Sequence, residues 1–184
     1  MARVLVPLAQ GCEELEAVTI IDLLRRAQIE VVTAGLADGP VTGSRGTRLL
    51  PDVTLDAALT QSFDMVVLPG GQPGATNLEK DARIQALLKK MAAAGHYTAA
   101  ICAAPKVLAA AGLLDGKRAV CYPKAINPVE FPAVKLETRG VVRDGQVITS
   151  RGPGTAMDFA LELIEVLTSR ATREQVEAWL VRDA

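Results

Sequence analysis

A cysteine stands where an apolar, strand-like segment gives way to a helix-like one. The sequence AAICAAP spans residues 99–105, with Cys102 at its centre. A thiol on a tight strand-to-helix turn projects from the C-terminal edge of a sheet, where the first amides of the following helix lower its pKa and stabilise an oxyanion. The pattern is typical of a nucleophile elbow. A buried core cysteine remains an alternative, because free Cys is among the most buried residue types.

The usual partner of a reactive cysteine is a histidine, and this chain has one, His96. His96 precedes the predicted strand that Cys102 ends. At ~3.3 Å per residue, six residues of extended chain place it roughly 20 Å from Cys102, at the opposite edge of the sheet. A local Cys-His pair is therefore excluded, and a base for Cys102 must be a carboxylate.

The first predicted helix offers three carboxylates, on Glu13, Glu14 and Glu16. Helical steps of three and four residues from Glu16 lead along the apolar stripe that faces the sheet, so Glu16 is expected to point inward. Burial and neighbouring charges would then tune its protonation. For Glu13 and Glu14 we expect only a favourable interaction with the helix dipole, which is also an alternative for Glu16.

Glycines follow another predicted strand directly. Gly70 and Gly71 leave room for close approach of the backbone, and an amide there could face the amide of Cys102 or Ala103 as an oxyanion hole. A tight turn is the plain alternative. Neither GxGxxG nor GK[ST] is present, so nothing indicates a nucleotide cofactor. The arginines Arg25, Arg45 and Arg151 are candidate anion contacts, although solvated arginines are the default expectation.

Apolar runs alternate with helical patterns along the chain, which predicts an α/β fold with a mostly parallel sheet covered by helices on both faces. Ligands bind beyond the carboxyl ends of strands in such sheets, so the loops at 11–14, 69–71, 102–104 and 122–123 should converge. Predicted strands cover 4–8, 29–34, 65–68, 98–101 and 118–121; predicted helices cover 13–27, 81–94, 105–111, 155–168 and 173–180; and predicted hairpins cover 39–50 and 141–149.

Length and composition limit the function classes. The chain has 184 residues, 49% of them hydrophobic, which fits a single domain over 1–184. A net charge of −1, without runs of like charge, argues against nucleic-acid and membrane partners. No signal-peptide pattern or run of ~18 apolar residues is present. Three widely spaced cysteines fit neither a disulfide framework nor a metal knuckle, so we expect a reducing cytoplasmic setting and no metal.

Taken together and in order, several short segments resemble the ThiJ/PfpI superfamily, in its DJ-one/YajL branch, over essentially the whole chain. The resemblance implies a flavodoxin-like fold, commonly a homodimer, in which Cys102 is the reactive thiol, Glu16 its hydrogen-bonding carboxylate, and the Gly71 and Ala103 amides the oxyanion contacts. The segments that carry it are GCEELE at 11–16, RRA at 25–27, SR at 44–45, VVLPGG at 66–71, AAICAAP at 99–105 and TSRGPGT at 149–155.

The chain also departs from the pattern of this superfamily. Tyr122 precedes a proline where some members have a histidine, and a tyrosine is no base near neutral pH without a large pKa shift. Ala103 stands where protease-like members place a histidine, which disfavours peptidase activity. Cys12 and Cys121 are candidates to resolve an oxidised Cys102 as a disulfide, although packing is the plainer role for each.

The resemblance implies a cofactor-independent glyoxalase III or protein deglycase, which acts on a small dicarbonyl such as methylglyoxal or on a glycated adduct. The alternative is a redox-sensing stress protein or chaperone, in which Cys102 is oxidised to a sulfinate held by Glu16. A third hypothesis is an inert dimeric scaffold with a buried Cys102. In the enzyme, Tyr122 would join Gly70, Gly71 and Ala103 around the substrate, and Arg25, Arg45 and Arg151 would contact an anion or the second subunit.

Overall fold

The computed structural model describes residues 1–182, in which helices cover both faces of a seven-stranded sheet. The strands are β1 (Arg3–Leu8), β2 (Glu30–Gly35), β3 (Val41–Thr42), β4 (Arg48–Leu49), β5 (Val53–Thr54), β6 (Met65–Leu68), β7 (Tyr97–Ile101), β8 (Arg118–Ala119), β9 (Lys135–Leu136), β10 (Val141–Asp144) and β11 (Val147–Ser150). The helices are α1 (Glu14–Arg26), α2 (Leu55–Ala58), α3 (Gly74–Lys80), α4 (Ala82–Ala93), α5 (Pro105–Ala110), α6 (Ala156–Leu167) and α7 (Arg170–Trp179), with a 3-10 turn at Pro153–Thr155.

The strands of the main sheet follow the order β10-β11-β7-β6-β1-β2-β5. Neighbouring strands pair in parallel, except in the β10–β11 hairpin. The predicted α/β class and mostly parallel sheet are therefore confirmed. Because the chain order reverses between β1 and β6, the carboxyl ends of these two strands form the topological switch point, which is where such folds bind ligands.

The pleat of each central strand divides the core into two layers. In β7, Ala99 and Ile101 face one layer, which α1 and α6 cover, and Ala100 faces the other, under α4 and α5. Buried apolar side chains fill both layers, as expected for parallel strands. This packing fixes α1 and α5 against the ends of β6 and β7, and so positions the loops that carry the candidate chemistry.

One predicted strand, at 118–121, does not belong to the main sheet. The run at 118–121 was expected to join the βα alternation, but β8 ends at Ala119 and pairs with β9 in a separate two-stranded sheet. The amide of Val120 instead donates to Oγ1 of Thr149 on β11, 2.9 Å away. Cys121 and Tyr122 therefore lie in a loop beside the main sheet. Both predicted hairpins are present, as β3–β4 and β10–β11.

Within residues 1–182, every helix is too short or too polar to cross a lipid bilayer.

Candidate active site

Cys102 occupies a sharp turn between β7 and α5, as predicted. Its φ angle is +64°, a left-handed conformation that non-glycine residues rarely adopt. Two hydrogen bonds hold the turn: the Cys102 amide donates to the Ser150 carbonyl at 3.0 Å, and the Tyr122 amide donates to the Cys102 carbonyl at 2.7 Å. Cys102 is 8% exposed. The adjacent strand β11 and the loop after β8 thus hold the cysteine in a strained backbone conformation.

Glu16 points inward from the first turn of α1, as its helical position predicts, and is fully buried. Its Oε2 accepts a 2.8 Å hydrogen bond from the amide of Gly70. Its other oxygen, Oε1, is buried without a hydrogen-bond partner among residues 1–182. A carboxyl group with one oxygen fixed and the other unengaged is oriented and still able to exchange a proton.

Glu16 and Cys102 meet over the Cα of Gly70. A Cβ atom added at Gly70 would lie 2.6 Å from Cβ of Cys102 and 2.8 Å from Oε2 of Glu16, distances that no real side chain tolerates. The absence of a side chain at Gly70 is therefore what lets the carboxyl and the thiol approach each other. The Glu16 carboxyl lies close enough to the thiol to raise the pKa of Cys102.

Burial dominates the electrostatics of this pair. Desolvation raises the pKa of Glu16 to about 7, against the opposing hydrogen bonds from Gly70 and Cys102. Burial, followed by the charge of Glu16, raises the pKa of Cys102 to about 12. The amides of Gly71 and Ala103 pull in the opposite direction. The amides thus act in the expected direction, but burial and the carboxylate outweigh them, so the pKa of this thiol is raised and not lowered.

Two backbone amides, those of Gly71 and Ala103, act on the thiol of Cys102 and lower its pKa. Gly71 has a φ of +86°, and a Cβ there would overlap the backbone of Glu13, so only glycine suits this turn. The structure thus brings together both amides that were expected to bind an oxyanion. Gly70 has a different role from the one expected, because its amide is already committed to Glu16.

Glu14 has a structural role that the sequence reasoning missed. Its buried carboxylate accepts hydrogen bonds from the amides of Arg45, at 2.9 Å, and Thr47, at 3.2 Å, while Ser44 Oγ donates to Glu13 at 2.8 Å. Desolvation opposes ionisation, but these amides and that of Glu14 itself prevail and lower the pKa of Glu14 to about 2. Glu14 therefore ties the β3–β4 loop to the start of α1, an arrangement that helical periodicity does not reveal.

The other residues that were expected to contact the substrate or an anion lie in different parts of the fold. Tyr122 is half exposed, and a Cβ at Gly152 would lie 3.4 Å from its ring. Arg45 is an exposed residue of the loop that Glu14 holds. The guanidinium of Arg151 donates to the Thr138 carbonyl at 2.9 Å. Arg25, in the last turn of α1, is paired with Asp52 at 2.9 Å and is separated from Glu16 by most of the helix.

The other cysteines and the histidine occupy distinct environments. Cys12 is fully buried in the same layer as Cys102, and burial raises its pKa to about 11. Cys121 packs against the opposite layer, and its sulfur accepts hydrogen bonds from the amides of Ala125 and Ile126. His96 lies at the N-terminal end of β7, whereas Cys102 follows its C-terminal end. In the described range 1–182, no three His, Cys, Asp or Glu side chains are grouped as metal ligands.

Comparison with known proteins agrees with the fold. The DJ-1/PfpI family profile matches residues 2–166. Protein dj-1beta of Drosophila melanogaster is 41% identical over 178 residues, covering 96% of this chain and 95% of its own. The Caenorhabditis elegans protein named glutathione-independent glyoxalase DJR-1.2 is 37% identical, covering 90% of this chain and 88% of its own. The Drosophila DJ-1beta crystal structure superposes with a TM-score of 0.94 at 39% identity, covering 100% of this chain and 99% of its own. With the seven-stranded fold and a cysteine elbow beside a buried glutamate, these matches show that the chain belongs to the DJ-1/PfpI family, in its DJ-1 branch.

Proposed function

We propose that this protein is a cofactor-independent glyoxalase that converts methylglyoxal or a similar small dicarbonyl to a hydroxy acid. The observation that carries the proposal is the close approach of the Glu16 carboxyl and the Cys102 thiol over Gly70. The backbone amides of Gly71 and Ala103 act on the same thiol. A relative at 37% identity is named a glutathione-independent glyoxalase, which supports the same reaction class. A glycated adduct presents the same carbonyl chemistry and is the related substrate class of a deglycase.

The reaction begins with the thiol. Because burial keeps Cys102 protonated at neutral pH, Glu16 must accept its proton as the sulfur attacks the aldehyde carbon. A C–S bond forms, and the amides of Gly71 and Ala103 stabilise the oxyanion that develops on the aldehyde oxygen. Glu16 then returns the proton to this oxygen, which gives a neutral hemithioacetal. A pKa of about 7 suits Glu16 to both directions of transfer.

Isomerisation and hydrolysis complete the cycle. Glu16 removes the proton from the former aldehyde carbon and delivers it to the neighbouring ketone carbon through an enediol. The first carbon is thereby oxidised and the second reduced within one molecule, so no external redox partner is needed. The product is a thioester of lactate on Cys102. Water cleaves its C–S bond, releases lactate and restores the thiol.

The test follows lactate formation from methylglyoxal by proton NMR without glutathione. We expect Cys102→Ala to abolish it and Glu16→Gln to lower kcat by about 10²–10⁴-fold, the range of general acid–base catalysis. Cys121→Ala, a cysteine on the other layer, is the matched control and should stay within about twofold of the wild type. In D₂O, deuterium should enter the ketone-derived carbon of lactate to the extent that the proton held by Glu16 exchanges with solvent before its transfer. Wild-type turnover by Cys102→Ala or Glu16→Gln would refute the proposal.

A redox-sensing role, alone or with chaperone activity, is the second candidate, and the same amides favour it. Gly71 and Ala103 face the sulfur and would also bind a sulfinate oxygen, while protonated Glu16 would donate to another. Peptide mass spectrometry after mild peroxide treatment should find two added oxygens on Cys102 first. If Cys12 or Cys121 reaches that state earlier, the sensing role fails and the glyoxalase proposal is unaffected.

We also propose that the protein forms a homodimer and that it works in a reducing, cytoplasmic compartment. The outer face of α1 and the residue after β4 expose Leu15, Val18 and Leu50, the last 79% exposed. Neighbouring large apolar side chains at a surface mark an interface. All three cysteines are free thiols, which suits a reducing compartment.

A further inference from the structure

A cavity lies at the end of the sheet opposite to Cys102. It has a volume of about 350 Å³ and opens between α4 and the segment that follows α2. His96, at the start of β7, lines it, so the five residues of that strand, about 17 Å in length, separate it from the thiol. The cavity is therefore distinct from the candidate active site.

The floor of this cavity is apolar. Phe63, Leu87 and Met91 contribute to it and are themselves more than nine-tenths buried, and Leu59 adds a partly buried side chain. A hydrocarbon group seated there would lose contact with water at about 25 cal/mol per Å² of apolar area removed. A volume near 350 Å³ stands at the small end of the range for ligand cavities, so the fitting ligand is small.

The rim of the cavity is basic. Arg83, Lys90 and His96 line it, whereas no aspartate or glutamate does. Arg83 is neutralised by Asp56 at 2.9 Å and Asp81 at 2.6 Å. Among residues 1–182, Lys90 Nζ has no ion-pair partner, and the imidazole of His96 has no hydrogen-bond partner. One free ammonium group and one free ring donor above an apolar floor match a single negative charge, and would not neutralise a polyphosphate.

We propose that this cavity binds a small monocarboxylate with an apolar body. The carboxylate would lie on Lys90 and His96, and the hydrocarbon would cover Phe63, Leu87 and Met91. Both parts of such a ligand would contribute to binding: the carboxylate pairs with the exposed ammonium group of Lys90, and the hydrocarbon removes the apolar floor from water.

Octanoate is the first probe, with octanamide as its uncharged counterpart. In titrations followed by ¹H–¹⁵N NMR, octanoate should give saturable amide shifts in α4, at 59–63 and at His96. Octanamide should bind at least tenfold more weakly. No saturation with octanoate, or equal affinity for the two compounds, would overturn the proposal. Shifts of the same amides on simple dilution would also overturn it, because they would assign the cavity to a second copy of the chain.

The variant pair Lys90→Glu and Lys89→Glu isolates the local charge. Both lysines are exposed on α4, but only Lys90 lines the cavity, and both substitutions change the net charge equally. We expect Lys90→Glu to weaken octanoate binding at least tenfold and Lys89→Glu to change it less than twofold. Equal losses would show a long-range charge effect and contradict the site. Lactate formation should stay within twofold in both variants, which separates this test from that of the glyoxalase.

Discussion

The amide of Gly70 donates a 2.8 Å hydrogen bond to Oε2 of Glu16, across 54 positions of sequence. This bond joins the turn after β6 to the first turn of α1 and aims the carboxyl at the loop that carries Cys102. Gly70 thus donates a hydrogen bond through its amide, and because it has no side chain it also leaves room for Glu16 and Cys102 to approach each other. The proposed chemistry depends on each of these properties.

Gly70→Ala should damage the site directly. The new Cβ would lie 2.6 Å from Cβ of Cys102 and 2.9 Å from the carbonyl oxygen of Ile101, so backbone or side chains must shift. We expect a loss of about 1–3 kcal/mol in the free energy of unfolding, as for other overpacked cores, and a fall of at least about 100-fold in kcat/KM for methylglyoxal. Urea denaturation and lactate formation measure the two effects.

Gly154→Ala is the matched control for that substitution, since no atom lies within 4 Å of the added Cβ. It should change stability by less than about 0.5 kcal/mol, as is usual at such surface positions. Equal behaviour of the two alanine variants would contradict the role assigned to Gly70.

Glu16 should make the protein less stable as pH rises. Its folded-state pKa of about 7 exceeds the ordinary value of 4.5, so the neutral carboxyl favours the folded state fully below pH 4.5. This contribution is lost as pH rises through about 7 and is on the order of 3 kcal/mol. Urea unfolding at pH 5 and pH 8 should show the decrease in wild type and not in Glu16→Gln. Glu130→Gln, at an exposed position, should retain the wild-type decrease.

Glu14, two residues earlier, should show the opposite pH dependence. The amides of Arg45 and Thr47 help lower its folded pKa to about 2, so its contribution is present above pH 4.5 and is lost as pH falls through about 2. Glu14→Gln should lose about 1–3 kcal/mol at pH 7, because buried donors lose their charged acceptor. Hydrogen exchange should accelerate at Arg45 and Thr47. Unchanged exchange at these amides would contradict the role assigned to Glu14.

Removing the charge of Glu16 should make the thiol of Cys102 more reactive while slowing turnover. The carboxylate is the second cause, after burial, of the raised pKa of Cys102, so Glu16→Gln should lower that pKa from about 12. Alkylation of Cys102 by iodoacetamide at pH 8 should then be faster than in wild type, as peptide mass spectrometry can measure. Slower alkylation would show instead that Glu16 activates the thiol in the resting protein.

A charge on the apolar surface formed by the outer face of α1 and the residue after β4 should separate the proposed dimer. Val18→Glu and Leu50→Glu place a carboxylate on the exposed surface described above, and sedimentation should then show a monomer. Val129→Glu, at a position 87% exposed in another part of the chain, should leave the dimer intact. A monomeric wild type, or a dimer in all three variants, would contradict the proposed interface.

Helical and strand periodicity predicts much of this architecture. The spacing of Ile20, Leu23 and Leu24 placed Glu16 on the buried face of α1, and the apolar runs predicted the central strands in nearly their observed ranges. The two-residue strands β5 and β9 and the four-residue helix α2 are too short to show a period, so no pattern in the sequence predicts them.

The partner choices within the site are harder to predict from sequence. Whether the Gly70 amide meets a substrate or Glu16 depends on how closely α1 approaches β6. The pKa of Cys102 depends on a balance between burial, one carboxylate and two amides, and this balance exists only after packing. The same holds for Glu14, whose partners lie about thirty residues further along the chain.

The backbone conformation at Cys102 also limits how the site can change over evolutionary time. At a φ of +64°, a β-branched residue is sterically disfavoured, so threonine is a poor substitute for this nucleophile even though it carries a hydroxyl. Serine fits the turn, but its far less acidic hydroxyl would need a stronger base than a carboxyl with a pKa of about 7. Glycine relieves the strain and removes the chemistry. Few substitutions at position 102 would therefore replace the thiol with another reactive group that suits this turn and this base.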